Sequence, residues 1–323
     1  MTNDIENKSF KELLQASFKS NDTEEWLDVH FTRPIGLVFA LFWNRLGVHP
    51  NAITILSIFL GVGAGVMFYY TDWVHNLCGV LLLMFANFCD STDGQMARLT
   101  GKKTLIGRML DGFSGDLWFT AVYSAIAMRL MPQEMPFTGV QWSWWAWVLV
   151  VIAGIFCHSK QSSLSDYYRQ VHLFFLKGKE GSELDNSAQQ HEIYLEHLKK
   201  KDFWATVFFF NYARYCKSQE ERTPKFQRFF ASWKDFRDTQ KDALEHIQAV
   251  NNELLEGSRP LMKYTNILTF NTRAICIYIT CLLDMPWIFP LFEITIMEGL
   301  YVYMKHKHET LCEKLREKYF NAG

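Results

Sequence analysis

The chain has 323 residues, of which 49% are hydrophobic and 16% aromatic, and its formal net charge is −1. This near-neutral charge provides no basic field for nucleic acid and no acidic excess typical of disorder, so we expect no nucleic-acid partner. The 11 Trp and 27 Phe instead favour a membrane protein, in which aromatic side chains collect at the boundary with water.

Apolar stretches predict six transmembrane helices. A helix needs about 20 residues to cross the hydrocarbon core, and the stretches that approach or exceed this length are 51–70, 73–89, 104–131, 137–157, 264–283 and 285–304. The predicted fold class is therefore all-α, a polytopic membrane protein. Ahead of the first span, residues 33–47 combine two Arg with an apolar run, which is typical of an amphipathic helix at the membrane surface.

The distribution of Lys and Arg predicts the orientation of these spans. The loops 71–76, 132–141 and 284–286 contain neither residue, whereas the long stretch 159–263 on the opposite side contains many. The positive-inside rule then places both termini and this stretch in the cytosol.

We expect four parts along the chain. They are a cytosolic N-terminus with the surface helix, spans 1–4, a cytosolic insert of two or three amphipathic helices broken near Gly178 and at Pro224, and spans 5–6 with a cytosolic tail; their bounds are 1–47, 48–159, 160–262 and 263–323.

Acidic residues gather where spans 2 and 3 meet the cytosol. Asp90 and Asp93 are three residues apart and share one helix face at the end of span 2, and Asp111 begins span 3 after a short turn. Carboxylates in a span are costly unless they face a cavity or a cation. Oxygen ligands of this kind select Mg²⁺, Mn²⁺ or Ca²⁺, so the pattern predicts a divalent-metal site.

The same residues resemble a known family. The chain reads Asp-Ser-Thr-Asp-Gly-Gln-Met-Ala-Arg over residues 90–98, then eight residues, then Gly-Arg-Met-Leu-Asp over residues 107–111. This is similar to the pattern DxxDGxxAR, eight or nine residues, GxxxDxxxD of CDP-alcohol phosphotransferases. The His-Pro-Asn sequence at 49–51, which opens span 1, also resembles that family.

The resemblance implies an active site for a metal-dependent transferase. Asp90, Asp93 and Asp111, with a fourth acid, would bind two Mg²⁺ or Mn²⁺ ions that hold the pyrophosphate of a CDP-activated donor. These carboxylates would share the nucleotide pocket with Gly94, Ala97, Arg98 and Gly107. The fourth acid would also act as general base on the acceptor hydroxyl, and CMP would leave.

The fourth acid is where this chain departs from the family pattern. The pattern expects Asp at position 115, which is Gly115, and the nearest acid is Asp116. In a regular helix a residue five positions after Asp111 is turned about 140° away from it. A π-bulge between Gly112 and Asp116 would restore the alignment, and such bulges often occur at functional sites. We therefore predict a bulge there, with Asp116 as general base and metal ligand.

One basic residue inside a span and three near the cytosolic boundary are candidates for binding a phosphate on the acceptor. The candidates are Arg273, Lys103, Arg108 and Lys160. Arg273 lies inside span 5, where an ion pair with Glu293 or Glu298 of span 6 is an equally good interpretation. His158 and Asp166, which follow span 4, are weaker catalytic candidates.

Three functions are compatible with these patterns. The first is transfer of a phosphatidyl group from CDP-diacylglycerol to a polar alcohol, with inositol phosphate favoured over inositol or glycerol phosphate because of the surrounding basic residues. The second is transfer of a headgroup from CDP-choline or CDP-ethanolamine to diacylglycerol or ceramide. The third, a divalent-cation transporter or membrane scaffold, is disfavoured because the acids cluster at one depth and no chain of polar residues crosses spans 1, 2 and 4.

The resemblance also implies partners and a location. The partners would be the CDP-activated donor, the alcohol acceptor, the lipid bilayer and a second copy of the chain, with spans 5 and 6 forming the homodimer contact. The expected location is the bacterial inner membrane, with the active site facing the cytosol.

Overall fold

The computed structural model describes residues 9–18, 20, 22–102, 104–239 and 244–320. Helices account for nearly all of the regular structure, and the described residues contain no strand beyond an isolated bridge between Glu134 and Gln141. The all-α class is confirmed. The helices group into two compact units: unit 1 takes the described residues up to Lys160 together with Phe270–Met297, and unit 2 takes Gln161–Thr269 and the described residues from Glu298 onward.

The helices of unit 1 correspond to the predicted surface helix and to most of the predicted spans. After the short α1 (Phe10–Ser17) and a π-helical turn (Asp28–Thr32) come α2 (Arg33–Arg45), α3 (Pro50–Phe68), α4 (Trp73–Thr100) and α5 (Leu105–Leu130). The remainder are α6 (Trp145–Val151) with a π-helical turn (Ile152–His158), α13 (Phe270–Leu282), and α14 (Ile288–Phe292) with a π-helical turn (Glu293–Met297).

Three helices among the described residues are long and apolar enough to cross a membrane, namely Pro50–Phe68, Trp73–Thr100 and Trp145–Lys177. They overlap predicted spans 1, 2 and 4, and the last two continue past the predicted ends at 89 and 157. Span 3 falls on α5, which is long enough but carries Arg108, Asp111, Asp116 and Arg129. Span 5 falls on α13, which has only 13 residues because the chain turns at 283–287. Span 6 falls on the helical run that begins at Ile288 and continues through the π-helical turn to Phe320. The count of six spans stays a prediction.

Glycines allow the helices of unit 1 to approach closely. A Cβ added at Gly61 of α3 would lie 2.1 Å from Cδ1 of Trp118 on α5, and one at Gly65 would lie 2.7 Å from the Cβ of Ala121. Small residues of this kind are typical of helix contacts in membranes. The contact seals a core formed by apolar side chains of α3, α4 and α5, among them Ala64, Phe68, Leu83, Val122 and Ile126.

The predicted surface helix, α2, packs on α4. Oγ1 of Thr92 lies 3.3 Å from the carbonyl oxygen of Gly36, and Nε2 of Gln95 donates to the carbonyl of Arg33 at 3.0 Å. On its other side α2 exposes Val38 and Phe42, each to more than 50%. This two-sided pattern is typical of a helix that lies in a membrane surface.

Unit 2 contains the predicted insert, 160–262, in which the structure has more than the two or three helices expected, together with helices that follow it. In chain order these helices are α7 (Ser159–Lys177), α8 (Ser187–Lys200), α9 (Phe203–Arg222), α10 (Pro224–Thr239), α11 (Leu244–Ser258), α12 (Met262–Ile267) and α15 (Glu298–Phe320). The predicted breaks near Gly178 and at Pro224 are present, and a further break falls at Lys201, where the backbone is left-handed (φ 56°) and the Asp202 side chain caps α9.

The core of unit 2 is aromatic and includes buried polar groups with specific partners. Tyr168, Phe226 and Phe229 are among its fully buried side chains. The imidazole of His308 stacks on the ring of Tyr168 with centroids 3.9 Å apart. The carboxylate of Glu309 accepts hydrogen bonds from the backbone N–H groups of Lys225 (2.8 Å) and Phe226 (3.2 Å), so an anion occupies the N-terminus of α10.

Candidate metal and nucleotide site

Three carboxylates converge in unit 1. Asp90, Asp93 and Asp111 each offer an oxygen atom, and these atoms all lie within 4.8 Å of one another. Asp93 is buried, Asp90 is partly buried and Asp111 is exposed. The group therefore has one buried side and one open side, which suits a cation that also contacts a ligand.

The ends of α4 and α5 explain this convergence. α4 continues eleven residues beyond the predicted end of span 2 and carries Asp90 and Asp93, one helical turn apart, in this extension. It ends at Gly101, whose left-handed backbone (φ 68°) requires glycine or a similarly permissive residue. Thr104 then caps α5 by accepting a hydrogen bond from the N–H of Gly107 at 2.9 Å. Both helices pack against α3, and Asp111 follows within the second turn of α5.

Helix α3 supports the site from one side. Oγ1 of Thr54 donates to Oδ2 of the buried Asp93. Asn51 lies so close to Gly107 that a Cβ there would be 2.6 Å from Oδ1 of Asn51, and its amide is 3.3 Å from Oγ1 of Thr104. The structure thus gives the glycine of the motif and the Asn after Pro50 one shared role, the close approach of α3 to the start of α5.

A hydroxyl connects the two carboxylate-bearing helices. Oγ of Ser114 lies 3.3 Å from Oδ1 of Asp90 and 2.8 Å from the backbone oxygen of Asp111. Arg98 folds back beneath Gly94, where an added Cβ would lie 3.5 Å from its Nη1, and it interacts electrostatically with Asp93 and Asp111. One guanidinium near three carboxylates leaves an excess of negative charge that a divalent ion would balance.

The bulge predicted between Gly112 and Asp116 is wrong. Helix α5 is a regular α-helix from Leu105 to Leu130, so Asp116 is turned about 140° from Asp111. Asp116 is exposed and does not belong to the carboxylate group found among the described residues. The alignment that its predicted roles as general base and metal ligand require is therefore absent, and the two roles stay predictions that the helix geometry disfavours. Gly112 and Gly115 border open space, since a Cβ at either would meet no atom within 4 Å.

Two of the π-helical turns meet beside a buried arginine of α13. They contact each other and bring His158 and Glu293 together, with Nδ1 of His158 3.6 Å from Oε1 of Glu293. Nε of the fully buried Arg273 donates to the same Oε1 at 2.7 Å. The ion-pair interpretation of Arg273 is thus the one that the structure contains, and an acceptor phosphate would have to compete with Glu293 for this side chain.

The other acceptor candidates keep the status of predictions. Arg108 is exposed one residue after Gly107, and Lys160 is half-buried near the start of α7. Lys103 lies outside the described residues. Glu298, the other predicted partner of Arg273, accepts a hydrogen bond from Nε2 of Gln161 within unit 2 at 2.8 Å.

One acidic pair near the site was not predicted from the sequence. Nδ2 of Asn271, at the start of α13, lies 2.7 Å from Oε2 of Glu25 and 3.0 Å from Oδ1 of Asp28. The turn that carries Asp28 contacts α4, and Asp28 is near enough to Asp90 to interact with it electrostatically. Asp28 and Asp90 are 62 positions apart in the chain, and no local pattern in the sequence connects them.

Comparisons with known proteins agree with the motif. Residues 47–161 match the profile of the CDP-alcohol phosphatidyltransferase family. A protein of Aquifex aeolicus described as uncharacterized is 39% identical over 85 residues, which are 25% of this chain and 42% of that protein. No solved structure matches.

Two relatives are named for an enzymatic activity. The bifunctional IPC transferase and DIPP synthase of Aquifex aeolicus is 29% identical over 105 residues, covering 32% of this chain and 22% of that protein. The archaetidylinositol phosphate synthase of Pyrococcus horikoshii is 34% identical over 83 residues, covering 26% of this chain and 43% of that protein. The chain thus spans less than half the length of each of these relatives.

The motif, the carboxylate group and the profile coincide on the same helices. The family resemblance is confirmed over residues 47–161, because this part of the chain matches the model of the CDP-alcohol phosphatidyltransferase family.

Proposed function

We propose that the chain transfers a phosphate-linked group from a CDP-activated donor to the hydroxyl of an alcohol, with CMP as the leaving group. The observation that carries this proposal is the convergence of Asp90, Asp93 and Asp111 on the two helices of the family motif. The open space beside Gly112 and Gly115 supports it, because a nucleotide needs access to the exposed side of the carboxylates.

The carboxylates suit Mg²⁺ or Mn²⁺. All three contribute hard oxygen atoms, and their separation fits ligands of one ion or of two neighbouring ions. Bound there, divalent ions would offset the charge of the donor pyrophosphate and make its phosphorus easier to attack. Asp93 would be the most constrained ligand, since Thr54 orients it.

The reaction forms one bond to phosphorus and breaks another. The acceptor oxygen bonds to the phosphorus that carries the transferred group, the bond from that phosphorus to the bridging oxygen breaks, and CMP leaves with the bridging oxygen. The hydroxyl proton must pass to a base. Asp116 faces away from the carboxylates, so we propose Asp28 for this role, because it lies near Asp90 without being part of the metal-binding group.

We propose CDP-diacylglycerol as donor and inositol phosphate as favoured acceptor, followed by inositol or glycerol phosphate. A relative named as an archaetidylinositol phosphate synthase supports this choice. Transfer from CDP-choline or CDP-ethanolamine to diacylglycerol or ceramide is the alternative, because the same pyrophosphate chemistry serves it. We propose a bacterial inner membrane as the location, with the site facing the cytosol; the Lys and Arg distribution supports this orientation.

We also propose a homodimer through the last spans. An apolar groove of about 370 Å³ on unit 1 is lined by residues of α13, the following turn and α14, including Ile275, Ile279, Leu283 and Phe292. Light scattering of the purified protein in detergent tests this: a mass of two chains supports the proposal, and a mass of one chain contradicts it.

The experiment that tests the function is CMP release by the purified chain in detergent with Mg²⁺ or Mn²⁺. Each CDP donor is combined with a panel of acceptors. Release from CDP-diacylglycerol that depends on inositol phosphate supports the favoured pair, whereas release from CDP-ethanolamine with a neutral lipid favours the alternative. No release from any pair would contradict transferase activity.

A further inference from the structure

The helices α8 and α9 of unit 2 form a hairpin with a well-defined tip. They pack along each other and are joined by Lys201 and Asp202. Lys201 ends α8 with a left-handed backbone, and Oδ1 of Asp202 accepts a hydrogen bond from the N–H of Ala205 at 3.3 Å, which begins α9. The side chains at the tip are therefore presented by capped helix ends rather than by a frayed loop.

Large apolar side chains are exposed at this tip. Phe203 and Trp204 are exposed to 67% and 68%, and Leu198 on α8 to 49%. Val207 and Phe210 extend the exposed surface along α9 at helical spacing from Phe203. A contiguous apolar surface of this kind indicates a binding site for a membrane or a protein.

The charges beside these rings favour a membrane. Lys199, Lys200 and Lys201 are all exposed next to Phe203 and Trp204. Protein–protein interfaces are depleted in Lys, whereas Lys beside aromatic side chains is typical of a surface that binds lipid headgroups. The carboxylate of Asp202 lies at the N-terminus of α9, where the helix dipole offsets its charge, and the three lysines precede it with exposed side chains.

We infer that the tip of the α8–α9 hairpin binds the surface of a bilayer that contains anionic lipids. Phe203, Trp204 and Leu198 enter the headgroup layer, and the three lysines contact lipid phosphates. The chain carries its own candidate membrane spans, so the bilayer is available to the hairpin at a high effective concentration. The inference does not depend on the proposed transferase activity.

A fluorescent probe at the tip tests this inference. Trp204→Cys is made in a background in which Cys78, Cys89 and Cys276 are Ser, since the other described cysteines are buried. The full chain is labelled with an environment-sensitive dye and placed in nanodiscs of phosphatidylcholine with or without phosphatidylglycerol. We expect blue-shifted emission and quenching by nitroxide-labelled lipid in the anionic discs.

Two variants serve as controls. A label at Lys217→Cys, an exposed position about 20 Å along α9 from the tip, should stay in water in both discs. Replacing Lys199, Lys200 and Lys201 by Gln should remove the difference between anionic and neutral discs. Water-exposed emission from position 204 in both discs would overturn the inference. So would equal shielding in both discs, or shielding in lipid-free amphipol that rises with protein concentration, which would indicate self-association.

Discussion

The proposed proton acceptor, Asp28, lies outside the family motif that carries the other site residues. The family pattern places a carboxylate four residues after Asp111, and this chain has Gly115 there and an outward-facing Asp116 instead. Asp28 lies outside the motif on a turn that contacts α4, the helix that carries Asp90, and it accepts a hydrogen bond from the amide of Asn271. The missing acid would then come from a part of the chain that lies far from the motif in sequence.

We predict that Asp28→Asn lowers the rate of CMP release by about 10²-fold or more, the usual contribution of a general base, with little change in Mn²⁺ binding. Asp28→Glu should recover part of the rate, and Asp116→Asn should leave it nearly unchanged. Steady-state kinetics over a range of pH checks this. A large loss for Asp116→Asn with none for Asp28→Asn would reverse the assignment.

At the scale of helices, close packing depends on single glycines. The 2.1 Å approach that a Cβ at Gly61 would make to Trp118 leaves no room for a side chain between α3 and α5. A Cβ at Gly299 in α15 would meet nothing within 4 Å.

We therefore expect opposite effects of the same change at these two positions. Gly61→Ala should destabilise the protein by about 1–3 kcal/mol through overpacking, and Gly299→Ala should stabilise it by up to about 1 kcal/mol through helix propensity. Thermal unfolding in one detergent measures both. An unchanged melting temperature for Gly61→Ala would show that Trp118 moves away freely.

The stability of unit 2 should depend on pH through the buried imidazole of His308. Burial lowers the pKa of this imidazole from its usual 6.5 to about 3, and neighbouring His172 adds to the effect. The unfolded chain therefore binds a proton that the folded chain does not between these two values. Stability should fall as pH decreases through this window, by roughly 1.4 kcal/mol per pH unit from this group.

His308→Phe keeps a ring to stack on Tyr168 and removes the titration. The variant should lose part of the decrease in melting temperature between pH 6.5 and 5, relative to the unchanged chain. Identical pH dependence of the two proteins would mean that His308 is protonated without cost in the folded state.

At the scale of the whole molecule, the sequence predicted most where physical constraints are local. Hydropathy predicted α3 and α4, and the spacing of Asp90, Asp93 and Asp111 predicted their convergence, because helix periodicity places them. The prediction of a bulge in α5 was wrong, since an added Cβ at Gly112 or Gly115 would meet no atom that could force one. The pairing of Asp28 with Asn271 and of Arg273 with Glu293 depends on tertiary contacts that a single sequence does not encode locally.

The insert illustrates the same limit. Pro224 and the glycines near 178 marked two helix ends, but the end at Lys201 required a left-handed non-glycine residue. Its sequence signal was Asp202, a good N-cap residue followed by an aromatic run.

The most direct test of the account combines metal binding with activity. Binding of Mn²⁺ by electron paramagnetic resonance and Mg²⁺-dependent CMP release are measured for Asp90→Asn, Asp93→Asn and Asp111→Asn, with Asp116→Asn as the matched control. We expect each of the first three substitutions to weaken Mn²⁺ binding and to lower CMP release on the order of 100-fold or more, while the control resembles the unchanged chain. Undiminished binding and release by Asp93→Asn would contradict the metal site, and with it the proposed function.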